Sequence, residues 1–361
     1  MSTPRTASRA ASRTGSRTDA PTASRTTGAA GTAQAARVCE TALGWVYDHR
    51  DAFRLPADVL DPGADVNRTL KPLGELAQLS LSIRTHSDPG SPRHRRAADL
   101  LDFAWEQMRQ GRLFLDLLRG EPFTTYPLEI YAPFAAAGLR HPGFEELADT
   151  VRRTRGWERI EQEPNRRLGV LNSERRVGFP QHGEPSAALA RTWLGGLPEP
   201  WTFERTAGYG LTHVVFHLTD WGHAPHQMPT ELGDYLATWL PAWLDTCLEA
   251  EQWDLSGELI AVAGCVPDAA SYTALAAAVE TAWARVAGIQ DAAGGIPENG
   301  AGRPHEPPRD FANCYHSTLM AAFAAALTDV RPTAVEVVEA AQAAQAAQAA
   351  QAAQAAQEGA L

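Results

Sequence analysis

Lysine is almost missing from this chain: Lys71 stands alone among 32 basic residues, so arginine carries nearly all the positive charge. Together with the abundance of alanine, this reads as the codon bias of a high-GC bacterium. Cysteine is scarce as well. Cys39, Cys247, Cys265 and Cys314 are far apart and show no CxxC spacing, which excludes a zinc knuckle or a disulfide framework and fits a reducing, cytoplasmic setting. No apolar run reaches the roughly 18 residues that a membrane-spanning helix needs, and the N-terminus has no continuous apolar segment of the kind a secretory signal carries. Alternating apolar and polar positions, the mark of a half-buried strand, are nearly absent too.

What remains is apolar enough to fold. Hydrophobic residues make up 44% of 361, ample for a sizeable core. The formal charge is −11, yet the first 37 residues hold six arginines against the single Asp19. The chain beyond them is therefore acidic, which excludes a general nucleic-acid binder.

Three regions follow. Residues 1–35 consist of Ser, Thr, Ala, Arg and Gly with almost no large apolar side chain, too little to offset the entropy of ordering, so a disordered tail is expected. Residues 36–331 form the helical domain. Residues 332–361 are an Ala/Gln extension in which Gln342, Gln345, Gln348, Gln351, Gln354 and Gln357 recur every third position; it is helix-prone, but a period of three builds no lasting face on a 3.6-residue helix.

Within the domain, apolar periodicity between Pro and Gly punctuation predicts helices near 36–50, 68–84, 96–118, 127–139, 143–155, 185–195, 208–220, 229–251, 254–265, 270–288 and 312–328, with a further one at 332–357. Long connections are expected at 88–92, 161–185 and 292–308. The fold class is all-α, a set of paired helical hairpins.

Chemistry concentrates in Tyr209-Gly-Leu-Thr-His-Val-Val-Phe-His-Leu-Thr-Asp-Trp-Gly222. On a helix, His213 and His217 are four apart and Asp220 follows three later, so all three share one face. Two imidazoles and a carboxylate at that spacing suit a divalent metal, and His213, His217 and Asp220 are its expected ligands. The glutamate of a zinc-protease HExxH is absent, since Val214 and Val215 follow His213. Without metal, the same groups are acid–base candidates in a cavity that shifts their pKa values. His223 and His226 fall in the next loop and are read as incidental.

His316, in Asn313-Cys-Tyr-His-Ser-Thr318, opens an otherwise Ala-rich helix. Convergence of His213, Asp220 and His316 on one cavity would make a catalytic centre. Asp254, in Trp253-Asp-Leu-Ser-Gly-Glu258, is expected to cap a helix start, with Glu258 adding a carboxylate if it faces inward. Lys71 and Glu75 read as a surface i, i+4 pair, and Glu129 and Tyr131 as core lining.

The phrases at 209–222, 253–259 and 315–319 resemble an uncharacterised family of helical proteins from high-GC bacteria, over about 36–330. More remotely, Gln290-Asp-Ala-Ala-Gly-Gly-Ile-Pro297 is similar to the turn between hairpins in α/α-toroid proteins such as terpene cyclases. That similarity implies an α/α-toroid. It carries over no activity, because the DxDD acid motif of class II terpene cyclases and the zinc-binding cysteines of lanthionine cyclases do not occur. The expectation is an enzyme that tailors a small molecule in a central helical cavity, with a divalent metal as its cofactor if it has one. The competing expectation is a helical module that binds a ligand or partner without catalysis.

Overall fold

The computed structural model describes residues 23–61, 63–300 and 310–328, and every regular element among them is helical. Fourteen α-helices follow one another among these residues. They are α1 (Ala23–Asp48), α2 (Leu70–Thr85), α3 (Pro92–Gln107), α4 (Arg112–Gly120), α5 (Tyr126–Ala136), α6 (Pro142–Arg152) and α7 (Arg155–Glu158), then α8 (Pro164–Val177), α9 (Pro185–Leu189), α10 (Arg205–Leu218), α11 (Thr230–Glu249), α12 (Trp253–Cys265), α13 (Thr273–Ile289) and α14 (Tyr315–Thr328).

Six of them close a circuit. Helix α2 packs on α5, α5 on α8, α8 on α10, α10 on α12, α12 on α14, and α14 returns to α2. Six others lie against this ring, α1 on α14, α3 on α2, α4 on α5, α9 on α8, and α11 and α13 on α12, while α6 packs on α4 and α7 on α6. A helix with neighbours on every side must be apolar all round, and α12 and α14 are: nearly every residue from Trp253 to Cys265 and from Ser317 to Ala326 is buried. Their acidic and histidine residues, Asp254, Glu258 and His316, sit in the first two turns. No helix among the described residues is long and apolar enough to cross a membrane.

Several expectations are corrected. Helix α1 starts at Ala23, inside the tail expected over residues 1–35, and runs on into the buried face around Val38, Cys39 and Ala42. The single helix expected over 96–118 is two, because Arg109, Gln110 and Gly111 all have positive φ and turn the chain between α3 and α4. The loop expected at 161–185 contains α8. Its Gly169, Asn172 and Ser173 are poor helix formers, and contacts with α5, α9 and α10 override that preference. The Ala/Gln helix expected at 332–357 lies outside the described residues.

Candidate functional site

The ring encloses a cavity of about 500 Å³. Every ring helix contributes to its wall: Lys71, Gly74, Glu75 and Gln78 from α2; Tyr126, Glu129 and Ile130 from α5; Asn165, Arg166, Gly169, Asn172 and Arg176 from α8; His213, Phe216 and His217 from α10; Glu258 from α12; His316 and Met320 from α14. Trp221 closes one side.

The densest chemistry lies where α2, α10, α12 and α14 meet. His316 Nδ1 donates to Asp254 Oδ1 at 2.6 Å, and Tyr209 Oη donates to Asp254 Oδ2 at 2.8 Å. The other ring nitrogen, His316 Nε2, faces Glu75 Oε1 at 3.9 Å and Glu258 Oε1 at 4.0 Å. The outer oxygen of each glutamate is held in turn: Tyr315 Oη donates to Glu75 Oε2 at 2.9 Å, and the Thr212 hydroxyl donates to Glu258 Oε2. Lys71 Nζ stands 3.8 Å from Glu75.

Burial and mutual repulsion govern these groups. Burial, then the neighbouring Asp254 carboxylate, pushes the Glu258 carboxyl up to about 8. Burial alone would lower the His316 imidazole, but Asp254 and Glu75 more than offset it and hold the ring protonated well above its usual range. Burial opposes ionisation of Asp254 too, and His316 reverses that effect, leaving its carboxyl below the ordinary value. Glu129 is raised by burial, although Arg166 pairs with it at 2.9 Å.

His213 is deep in the fold and yet open to a water-sized probe, because what it faces is the cavity. It has no hydrogen-bond partner among the described residues. Burial, with the positive charge of His316 and Lys71, brings its pKa down to about 4, so the ring is neutral at physiological pH. His213 and His316 thus line the same cavity.

Asp220 does not join them. The expected helix to 220 stops at Leu218, since Asp220, Trp221 and Gly222 have φ of 52°, 57° and 84° and swing the chain out of the helical path. The carboxylate instead accepts from Arg176 Nε at 2.7 Å and pairs with Arg175 at 2.8 Å. This corrects its expected place on a metal-binding face with His213 and His217. Among the described residues, the three metal-ligating side chains with donor atoms within 4.8 Å of one another are Asp254, Glu258 and His316. The structure therefore places Asp254 in the cluster rather than in the expected capping role: Gln252 occupies the cap position and Asp254 is turned onto His316. Glu75, read from sequence as half of a surface pair, also faces His316.

Residues 39–326 match the family described as "Domain of unknown function (DUF6895)". The chain belongs to this family. The match spans the whole ring and reaches from α1 into α14, so the cavity and its polar cluster fall inside the family's bounds. No curated protein and no solved structure matches the chain.

His217 allows a test of how the cavity wall is built. Its ring abuts Gly169, where a Cβ would stand 3.0 Å from Nε2. Burial, His213 and Arg176 together lower its pKa to about 3. An unfolded chain protonates this ring near the ordinary value of about 6.5, so protons favour unfolding and stability falls as pH drops from there toward 3. The melting temperature should decrease between pH 7.5 and pH 5, and His217→Gln should decrease less. An equally steep fall in the variant would contradict the buried neutral ring.

Proposed function

We propose that the protein is an enzyme that transforms a small polar molecule inside the ring cavity by acid–base chemistry, and that the ring is the inner layer of an α/α-toroid. One observation carries the reading: imidazole and carboxylate groups from four different helices point into one solvent-reachable cavity instead of pairing in separate helix contacts. A purely structural set of polar groups would be mutually satisfied. His213 is not, and Nε2 of His316 is not.

The roles follow from position. Asp254 and Tyr209 fix the His316 ring, so that Nε2 and the inner oxygens of Glu75 and Glu258 present one polar surface. His213 offers a neutral imidazole to the same space and suits proton abstraction. Phe216, Trp221 and Met320 supply apolar wall, and Gln78, Asn165 and Asn172 supply neutral polar contacts for the rest of a bound molecule. A volume of about 500 Å³ suits a molecule of small-metabolite size.

The test is to incubate the purified chain with a bacterial small-molecule extract and follow it by mass spectrometry, with and without added Mn²⁺. The expected result is a compound that disappears as a new mass appears in proportion. A compound that co-purifies with the protein and is released unchanged would replace the enzyme reading with a ligand-binding module.

A further inference from the structure

We infer that Glu75, Glu258 and His316 form a divalent-cation site on the cavity wall, with Asp254 as the residue that orients the histidine. This deepens the proposed function by naming the cofactor class of the same cavity, and it rests on that reading only for the use of the cation in catalysis.

The geometry is that of a prepared coordination shell. Asp254 accepts from Nδ1, so a cation that displaces the proton from Nε2 would meet that nitrogen already turned toward the two glutamates. A carboxylate behind a histidine is the usual companion of a metal-bound imidazole, since it fixes the tautomer and raises ligand basicity. Divalent first-row cations sit about 2.0–2.2 Å from imidazole nitrogen and carboxylate oxygen. Donor pairs held by one cation are therefore up to about 4.3 Å apart; Nε2 lies within that span of Glu75, at 3.9 Å, and of Glu258, at 4.0 Å, and a bound ion would draw the two carboxylates together.

The outer shell is complete as well. Each carboxylate spends its far oxygen on a hydroxyl, from Tyr315, Thr212 and Tyr209 in turn, which leaves the near oxygens of Glu75 and Glu258 with no hydrogen bond. Three carboxylates surround this imidazole, and once the Nε2 proton is displaced Lys71 is the cationic side chain left paired with them among the described residues. A divalent ion balances the remaining negative charge where burial makes it most costly.

His213 is an observation independent of the cluster. Its ring is exposed to the cavity, has no hydrogen-bond partner among the described residues, and lines the same space as Glu258 and His316. One imidazole with two carboxylates favours Mn²⁺, Fe²⁺ or Zn²⁺ over Ca²⁺.

The experiment titrates chelator-treated full-length protein with Mn²⁺, read by electron paramagnetic resonance, and with Zn²⁺, read by elemental mass spectrometry. One ion per chain is expected. Glu75→Gln, whose side chain is 22% exposed and so tolerates the change, should weaken binding at least 10-fold, and Asp254→Asn about 10- to 100-fold. His226→Gln, exposed in the loop after α10, should leave it unchanged, and far-UV circular dichroism confirms that each variant is folded. Failure of both ions to bind at one per chain, or equal affinity in wild type and Glu75→Gln, overturns the site. Turnover that persists in chelator-treated protein would remove the cation and keep the enzyme; stoichiometric binding with no turnover of any compound would do the reverse.

Discussion

Asp220→Asn should destabilise the folded chain by about 3–5 kcal/mol, the range for breaking a buried ion pair from one side. The Arg176 side chain is 3% exposed and its partner Asp220 14%. The substitution keeps the size of the side chain, and asparagine tolerates the left-handed backbone at this position as well as aspartate does. What it removes is the charge, and the guanidinium of Arg176 then retains only neutral amide oxygens, from Gln78 and the new asparagine. Because Arg176 lines the cavity, the loss should also loosen the contact of α8 with α2 and α10. The melting temperature should fall on the order of 10 °C at pH 7. Burial would raise the Asp220 carboxyl, but Arg176 and Arg175 more than offset it, so its folded pKa is depressed. Its contribution is therefore present above the unfolded pKa and lost as pH falls through the folded one, and the variant and wild type should converge in strong acid. A melting temperature within about 2 °C of wild type at pH 7 would mean that Arg176 finds compensation elsewhere.

Gly294→Ala should be comparably severe. The turn after α13 is drawn together by Asp291, whose Oδ1 accepts from the backbone N–H of Ala293, Gly294 and Gly295 at 2.9, 2.8 and 2.8 Å. Gly294 has φ of 106°, and a Cβ there would overlap the carbonyl oxygen of Thr41 on α1. Strain and backbone overlap act together, and the neighbour is a helix that cannot yield cheaply. A cost of about 3 kcal/mol or more is expected in urea-induced unfolding. Gly178→Ala is the control: its φ is 89° but nothing lies within 4 Å of the added carbon, so the backbone penalty of roughly 1–2 kcal/mol stands alone. Equal costs at the two positions would show that the approach to α1 is immaterial.

Much of this architecture was legible, and the failures have physical causes. The long helices announced themselves through apolar spacing, and the Gly-Gly turn at 294–295 through its composition. Helix α8 did not, because Gly169, Asn172 and Ser173 lower its intrinsic preference and its helicity comes from packing. That omission hid Arg176, the partner that takes Asp220 away from the histidines. His316 stood out as a lone polar group on an Ala-rich helix and does face the cavity with His213. Glu75 was hidden by its own neighbour: Lys71 lies four residues before it and does pair with it, so the local pattern explained the residue completely. Its other contact, Tyr315, is 240 positions away. Asp220 misled because spacing alone continues a helix; Gly222, two residues later, was the available sign that the helix had ended.

In the proposed reading, chemistry takes place at the His316 cluster inside the ring. The most direct test compares wild type, His316→Gln and His226→Gln in the metabolite-conversion assay, each first shown to be folded. Loss of the His316 imidazole should slow conversion about 10²- to 10⁴-fold, while His226→Gln, exposed in the loop after α10 and outside the cavity lining, should convert the same compound within a few-fold of wild type. Undiminished conversion by His316→Gln would contradict the account.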